Sequence, residues 1–214
     1  MKNTFTNLVL FAVLTVAFSS LTACSTASTE KKGAVIEVAP NASNVAVASN
    51  GDGAAVDIKD SNFPPVPSGL YQAQIKDLEG NLYKLEDKKG KVVLVNLWAI
   101  WCGPCIAEMP HLREMQEKYR DKNFEVLGLN TGDDNGDTES VENIKAFVED
   151  KKLNYPIGYA DEKFFSEMLR VTRMGGIPQS ILINRDGKMT GIFKGGGQRV
   201  INEMKQSVEK LMNE

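Results

Sequence analysis

The sequence predicts an α/β domain with a central mixed sheet flanked by helices, and three observations carry that expectation. Apolar strand-like segments alternate with amphipathic helix-like ones from about residue 70 to the end of the chain. The most apolar of them, Lys91 to Trp98, is almost unbroken, as a strand buried on both faces would be. Two hairpin signals, Glu79-Gly80-Asn81 and Arg185-Asp186-Gly187, bracket the alternation, so antiparallel neighbours must join parallel ones.

Each element follows from local pattern. Tyr71 to Lys76 and Leu82 to Leu85 alternate in polarity and form an N-terminal β-hairpin. After the central strand, residues 103–120 read as a helix, 124–130 as a strand, 139–151 as a helix, 155–159 as a short strand and 162–171 as a helix. Ser180 to Asn184 and Lys188 to Phe193 form the closing hairpin, and 198–212 is a terminal amphipathic helix. Thr138 is the candidate cap of the helix that follows it. No internal repeat is present.

The chain has 214 residues, of which 42% are hydrophobic, and a formal net charge of -3. That is one globular domain with extensions, and mixed surface charge of this kind gives no nucleic-acid footprint. Lys2 and the apolar run Leu8 to Phe18 read as a signal segment, the run being too short for a membrane span of roughly twenty residues. Leu21-Thr22-Ala23-Cys24 resembles the lipobox of bacterial lipoproteins. The resemblance implies cleavage after residue 23 and acylation of Cys24, whose acyl chains, at about 0.8 kcal/mol per buried CH₂, hold the protein to a bilayer. The expected organisation is a signal peptide over 1–23, a lipidated N-terminus and flexible linker over 24–67, and the folded domain over 68–214. From Ser25 to about Asn62 the linker is rich in Ser, Thr, Ala, Asn, Gly and Asp, has no aromatic residue and works as a tether, with Pro64, Pro65 and Pro67 stiffening its end. The mature protein is then extracytoplasmic, where disulfides persist.

The chemistry concentrates in Trp101-Cys102-Gly103-Pro104-Cys105, where the central strand runs into a helix. Two cysteines at this spacing can form a reversible disulfide, a structural one or a metal site. Cys102 falls at the helix start, where unpaired N–H groups and the helix dipole favour a thiolate and lower a thiol pKa from about 8.5 toward neutrality. Cys102 is therefore the nucleophile and Cys105, one turn on, the resolving thiol. Pro104 suits the first helical turn, and Gly103 leaves room for a substrate backbone.

Trp-Cys-Gly-Pro-Cys after an apolar strand resembles the thioredoxin active site, and Gly176-Ile177-Pro178 before a later strand strengthens the likeness. The resemblance implies a thioredoxin-like fold, a cis Pro178 packed beside the cysteine pair, and a backbone at Ile177 that pairs with bound peptide. Asn96-Leu97-Trp98-Ala99 and the Glu108-Met109-Pro110 that trails Cys105 narrow it to the TlpA/ResA family of membrane-tethered thioredoxin-like reductases. Residues 131–160 then correspond to that family's central αβ insertion. Ordinary thioredoxins carry a carboxylate at the position of Asn96. With Asn96 neutral, Glu108, three residues after Cys105 on the same helix face, is the candidate to accept the Cys105 proton. Asn96 itself is expected to satisfy buried backbone groups. Pro110 should kink the helix. Gly103-Pro104 and Ile177 are thioredoxin-like rather than typical of the haem-pathway members, which favours general reducing activity.

Other features are expected to be structural. His111 is a solvated helix side chain. Asp133, Asp134, Asp137 and Glu139 form a solvated loop without calcium-loop spacing. Gly195-Gly196-Gly197 lacks the Lys-Ser/Thr of a phosphate loop and lets the last strand pass close to the active site. Met168 and Met174 read as core.

The leading expectation is a membrane-anchored thiol-disulfide oxidoreductase without a cofactor. Its implied partners are disulfide-containing exported proteins, apocytochrome c among them, and a membrane thiol-disulfide electron donor. A reductase dedicated to cytochrome c maturation is the narrower alternative. A thiol-based metal carrier is less well supported, because such carriers use a longer cysteine spacing and a distant histidine. A peroxiredoxin-type peroxidase would need threonine where Ala99 stands.

Overall fold

The computed structural model describes residues 63–214. The signal segment, Cys24 and most of the linker lie outside the described residues. Folding begins before residue 68: Val66 N–H donates to Gly187 O, and Met189 N–H to Pro64 O. Ser68–Tyr71 is a single helical turn (α1) in place of the expected start of a strand, because the Leu70 and Tyr71 N–H groups close back on Pro67 O.

The strands are β1 (Gln74–Asp77), β2 (Leu82–Lys84), β3 (Val92–Trp98), β4 (Phe124–Asn130), β5 (Ile157–Ala160), β6 (Gln179–Ile183) and β7 (Met189–Lys194). The longer helices are α2 (Gly103–Tyr119), α3 (Val141–Asp150), α4 (Glu162–Thr172) and α5 (Gln198–Met212). One mixed sheet runs in the order β2-β1-β5-β4-β3-β6-β7. The β3–β4 and β4–β5 pairs are parallel, and the others are antiparallel.

All seven residues of β3 are buried, which explains its apolar run. Alternation sends Val92, Leu94 and Trp98 into one core with Leu112 and Met115 of α2 and Met204 and Val208 of α5. Val93, Val95 and Leu97 join the opposite core with Leu70, Phe164 and Met168. Each such side chain stabilises the fold by about 1.5–3 kcal/mol relative to exposure, so the two-sided burial of β3 anchors everything attached to its end.

Several local expectations shift. Ser140, not Thr138, caps α3, its hydroxyl accepting from the Asn143 N–H at 3.1 Å. Proximity explains the choice, since a cap must stand immediately before the first helical residue. The α-helix α2 runs unbroken through Pro110, which deprives the Ile106 carbonyl of its usual donor. Met168 is fully buried, Met174 half-buried. Among the described residues no helix is long and apolar enough to cross a membrane.

Candidate redox site

The site forms where β3 ends. Trp98 is the last strand residue, the chain turns through Ala99 to Trp101, and Cys102 becomes the N-cap of α2. Cys102 and Cys105 are joined in a disulfide, with their Cα atoms 5.3 Å apart. The Cys105 N–H points at Cys102 Sγ, 3.3 Å away, so an otherwise unpaired helix-terminal donor is directed to the sulfur of Cys102. Cys105 is 1% exposed and Cys102 4%, whereas Trp101 beside them is 53% exposed. The Trp101 indole is fixed by its Nε1–H, which donates to Gly132 O in the loop after β4 at 3.2 Å.

The β3–β6 register brings the second half of the site alongside. Leu97 pairs with Gln179, so Ile177 and Pro178 arrive at the same end of the sheet as the cysteine turn. The Ile177–Pro178 bond is cis. Pro178 O accepts from Gly195 N–H at 2.9 Å, which draws the 195–197 glycines against α2. A Cβ at Gly196 would stand 2.9 Å from Pro104 Cβ, so only glycine fits between β7 and the active-site helix. Nothing lies within 4 Å of a Cβ built on Gly103, which leaves open space over the turn between the cysteines.

Beneath the disulfide lies a buried polar cluster. Asn96 Nδ2 donates to Glu108 Oε1 at 2.6 Å and to Ser180 Oγ at 3.0 Å. All three residues are 1% exposed. This corrects the expectation that Asn96 serves buried backbone groups: its two amide hydrogens are both taken by side chains, because β6 places Ser180 directly opposite it. Burial pushes the Glu108 carboxyl up to about 7, and the single hydrogen bond from Asn96 offsets only part of that. Neither of these causes is a cationic partner. A carboxyl near neutrality, one helical turn from Cys105, can take up and return a proton at working pH.

Sequence reasoning missed Ser180, hidden inside a strand whose five residues are all buried. It also missed the Trp101–Gly132 tie and a second buried polar pair, Thr172 and Gln179, under the cis-proline segment. Only the polarity of Gln179 and Ser180 at the start of an apolar strand signalled any of this. His111 Nδ1 lies 3.7 Å from Glu114 Oε2. Among the described residues no three His, Cys, Asp or Glu side chains converge as a metal site.

Comparison with known proteins agrees with this geometry. A family model described as Redoxin matches residues 39–210. The thiol-disulfide oxidoreductase ResA of Bacillus cereus is 34% identical over 137 residues, covering 64% of this chain and 73% of the relative. ResA of Geobacillus thermodenitrificans is 32% identical over 137 residues, covering 64% and 72%. Among solved structures, a thiol:disulfide interchange protein from Bacteroides sp. matches with a TM-score of 0.56 and 26% identity, over 72% of this chain and 91% of that one.

Proposed function

The chain belongs to the Redoxin family and is a thiol-disulfide oxidoreductase of the ResA type, and we propose that it reduces disulfides of exported proteins while tethered to a membrane. The observation that carries the reading is Cys102 at the N-cap of α2, with its sulfur receiving the Cys105 N–H and the open space over Gly103 beside it. In the dithiol form the same N–H and the helix terminus favour a thiolate at Cys102.

The Cys102 thiolate attacks one sulfur of a client disulfide, forming a mixed disulfide and releasing the other client sulfur as a thiolate that takes a proton. Glu108 accepts the Cys105 proton, and Cys105 attacks Cys102 Sγ. The second client thiol leaves, and two electrons have passed from the cysteine pair to the client. Ile177 and Pro178 supply the docking edge, Trp101 walls it, and Asn96 holds Glu108. A membrane thiol donor returns the disulfide to the dithiol. No cofactor enters this cycle. Two sequence features support the tether: the lipobox-like Leu21-Thr22-Ala23-Cys24, which implies lipidation at Cys24, and the linker composition from residue 25 to about 62. Thioredoxin-like Gly103-Pro104 and Ile177 support a general client range, apocytochrome c being one member of it.

The test is turnover of a disulfide substrate by the full mature chain, with Cys102→Ser expected to abolish it. Equal activity in that variant would sink the reading. Trapping clients in cells with Cys105→Ser separates the client ranges: a mixture of exported proteins is expected, and apocytochrome alone would make the protein a dedicated maturation factor.

A further inference from the structure

The segment before the cis proline is held from inside by two uncharged polar side chains that have no part in the electron transfer. Gln179 is 1% exposed and Thr172 is 2% exposed. Gln179 Nε2 donates to Gly176 O at 2.8 Å and approaches Met174 O at 3.5 Å. Its Oε1 faces the Thr172 hydroxyl at 2.6 Å, whose single hydrogen has Met168 O at 2.8 Å as its other acceptor, and that hydroxyl in turn accepts from the Met174 N–H at 3.3 Å. The amide orientation is fixed, because Gly176 O can only accept and would repel Oε1.

This clamp has a consequence one atom group further along. The C=O and N–H of a trans peptide point in opposite directions. The only cis bond among the described residues is the next one, so the Gly176–Ile177 peptide is trans. With Gly176 O drawn inward to a buried amide, the Ile177 N–H must face outward. Pro178 O is likewise occupied, by the Gly195 N–H. Among the described residues the Ile177 N–H and C=O make no hydrogen bond. One free donor and one free acceptor therefore stand between two pinned carbonyls, at the end of the sheet that carries the disulfide.

We infer that Gln179, braced by Thr172, is a positioning residue that turns the Ile177 N–H outward to bind a backbone carbonyl of an extended, cysteine-bearing client segment. The inference rests on the reductase reading above and adds what aims its docking edge. A buried amide does this without charge, so client capture is separated from the ionisation of Glu108 beneath the disulfide.

The test is a cycle between protein and client. The mature chain reduces a disulfide-linked peptide, supplied as the all-amide form and with a backbone ester, a weaker carbonyl acceptor, placed in turn at the bonds flanking the cysteine. One ester should raise KM about fivefold for the wild type, leaving kcat and the Cys102–Cys105 potential unchanged. Gln179→Met should raise KM for the amide peptide about fivefold and abolish the further ester penalty, since the hydrogen bond is already lost. Thr172→Val should move KM in the same direction, and Thr172→Ser, which keeps the hydroxyl, should restore it. Additive losses, or an unchanged KM in Gln179→Met, overturn the inference while leaving the reductase intact. If circular dichroism shows Gln179→Met unfolded, the Thr172 pair decides, equal KM values in Val and Ser counting against it. A wild-type chain that leaves the peptide oxidised removes the reductase reading and this inference together.

Discussion

Two glutamates are buried against the same sheet at opposite ends, and they ionise in opposite ways. Glu125, at the start of β4, is 7% exposed, and Lys88 and Lys91 each reach one of its oxygens at 2.6 Å. Burial raises its pKa, but the hydrogen bonds and charges of the two lysines outweigh burial and hold the carboxyl below the usual range. Glu108, at the disulfide end, receives its hydrogen bond from a neutral amide and has no cation paired with it, so burial wins and the carboxyl rises to about 7. The partner, not the depth, decides whether a buried acid is a permanent charge or a proton carrier.

Chemistry should break the symmetry most. Glu108→Gln should slow the resolution of the mixed disulfide about a thousandfold in single-turnover measurements, whereas Glu125→Gln should leave it within about twofold. Equal rates for Glu108→Gln and the wild type would remove Glu108 from the proton path.

Stability should separate the two acids next, with opposite signs. The folded-state pKa of Glu108 lies above its unfolded value, so the native state binds the extra proton and stability falls as pH rises from about 4.5 to 7. Glu108→Gln should thus be more stable than the wild type by about 3 kcal/mol at pH 8 by denaturant titration, and equal to it below about pH 4.5. The lowered pKa of Glu125 gives stability that is present above its unfolded value and lost as pH falls through the folded one. Glu125→Gln should therefore be less stable at pH 7, by about 1–2 kcal/mol, with the gap closing in acid.

The smallest effect sharpens the role of the neutral partner. Asn96→Asp would set two carboxyls in contact, and the pH profile for resolution should move to the alkaline side by about one unit. An unmoved profile would mean that the measured step does not titrate Glu108.

How much of this could be read in advance divides along the same line. Elements with a strong period were legible: β4 and α5 fall on residues 124–130 and 198–212 as expected, and the hairpin signal centred on Gly80 joins β1 to β2. The pairing of Cys102 with Cys105 was legible because spacing along one helix is fixed by geometry, and Glu108 and Asn96 were singled out by the family resemblance, but the bonds from Asn96 to Glu108 and Ser180 were not foreseen. Ser180, Thr172 and Gln179 were not, since their roles depend on how separate elements meet, and only the β3–β6 register brings Ser180 to Asn96. The helical turn at Ser68–Tyr71 was hidden for another reason: four residues are too few to show a period.

The amide of Asn96 has one more effect on Glu108. Because Nδ2 is a donor and approaches Oε1, that oxygen is engaged as an acceptor, which leaves Oε2 as the oxygen not held by Asn96. The carboxyl is thereby made two-sided, one oxygen serving as a fixed axle and the other as the working hand. A single neutral hydrogen bond thus gives a symmetric functional group a direction.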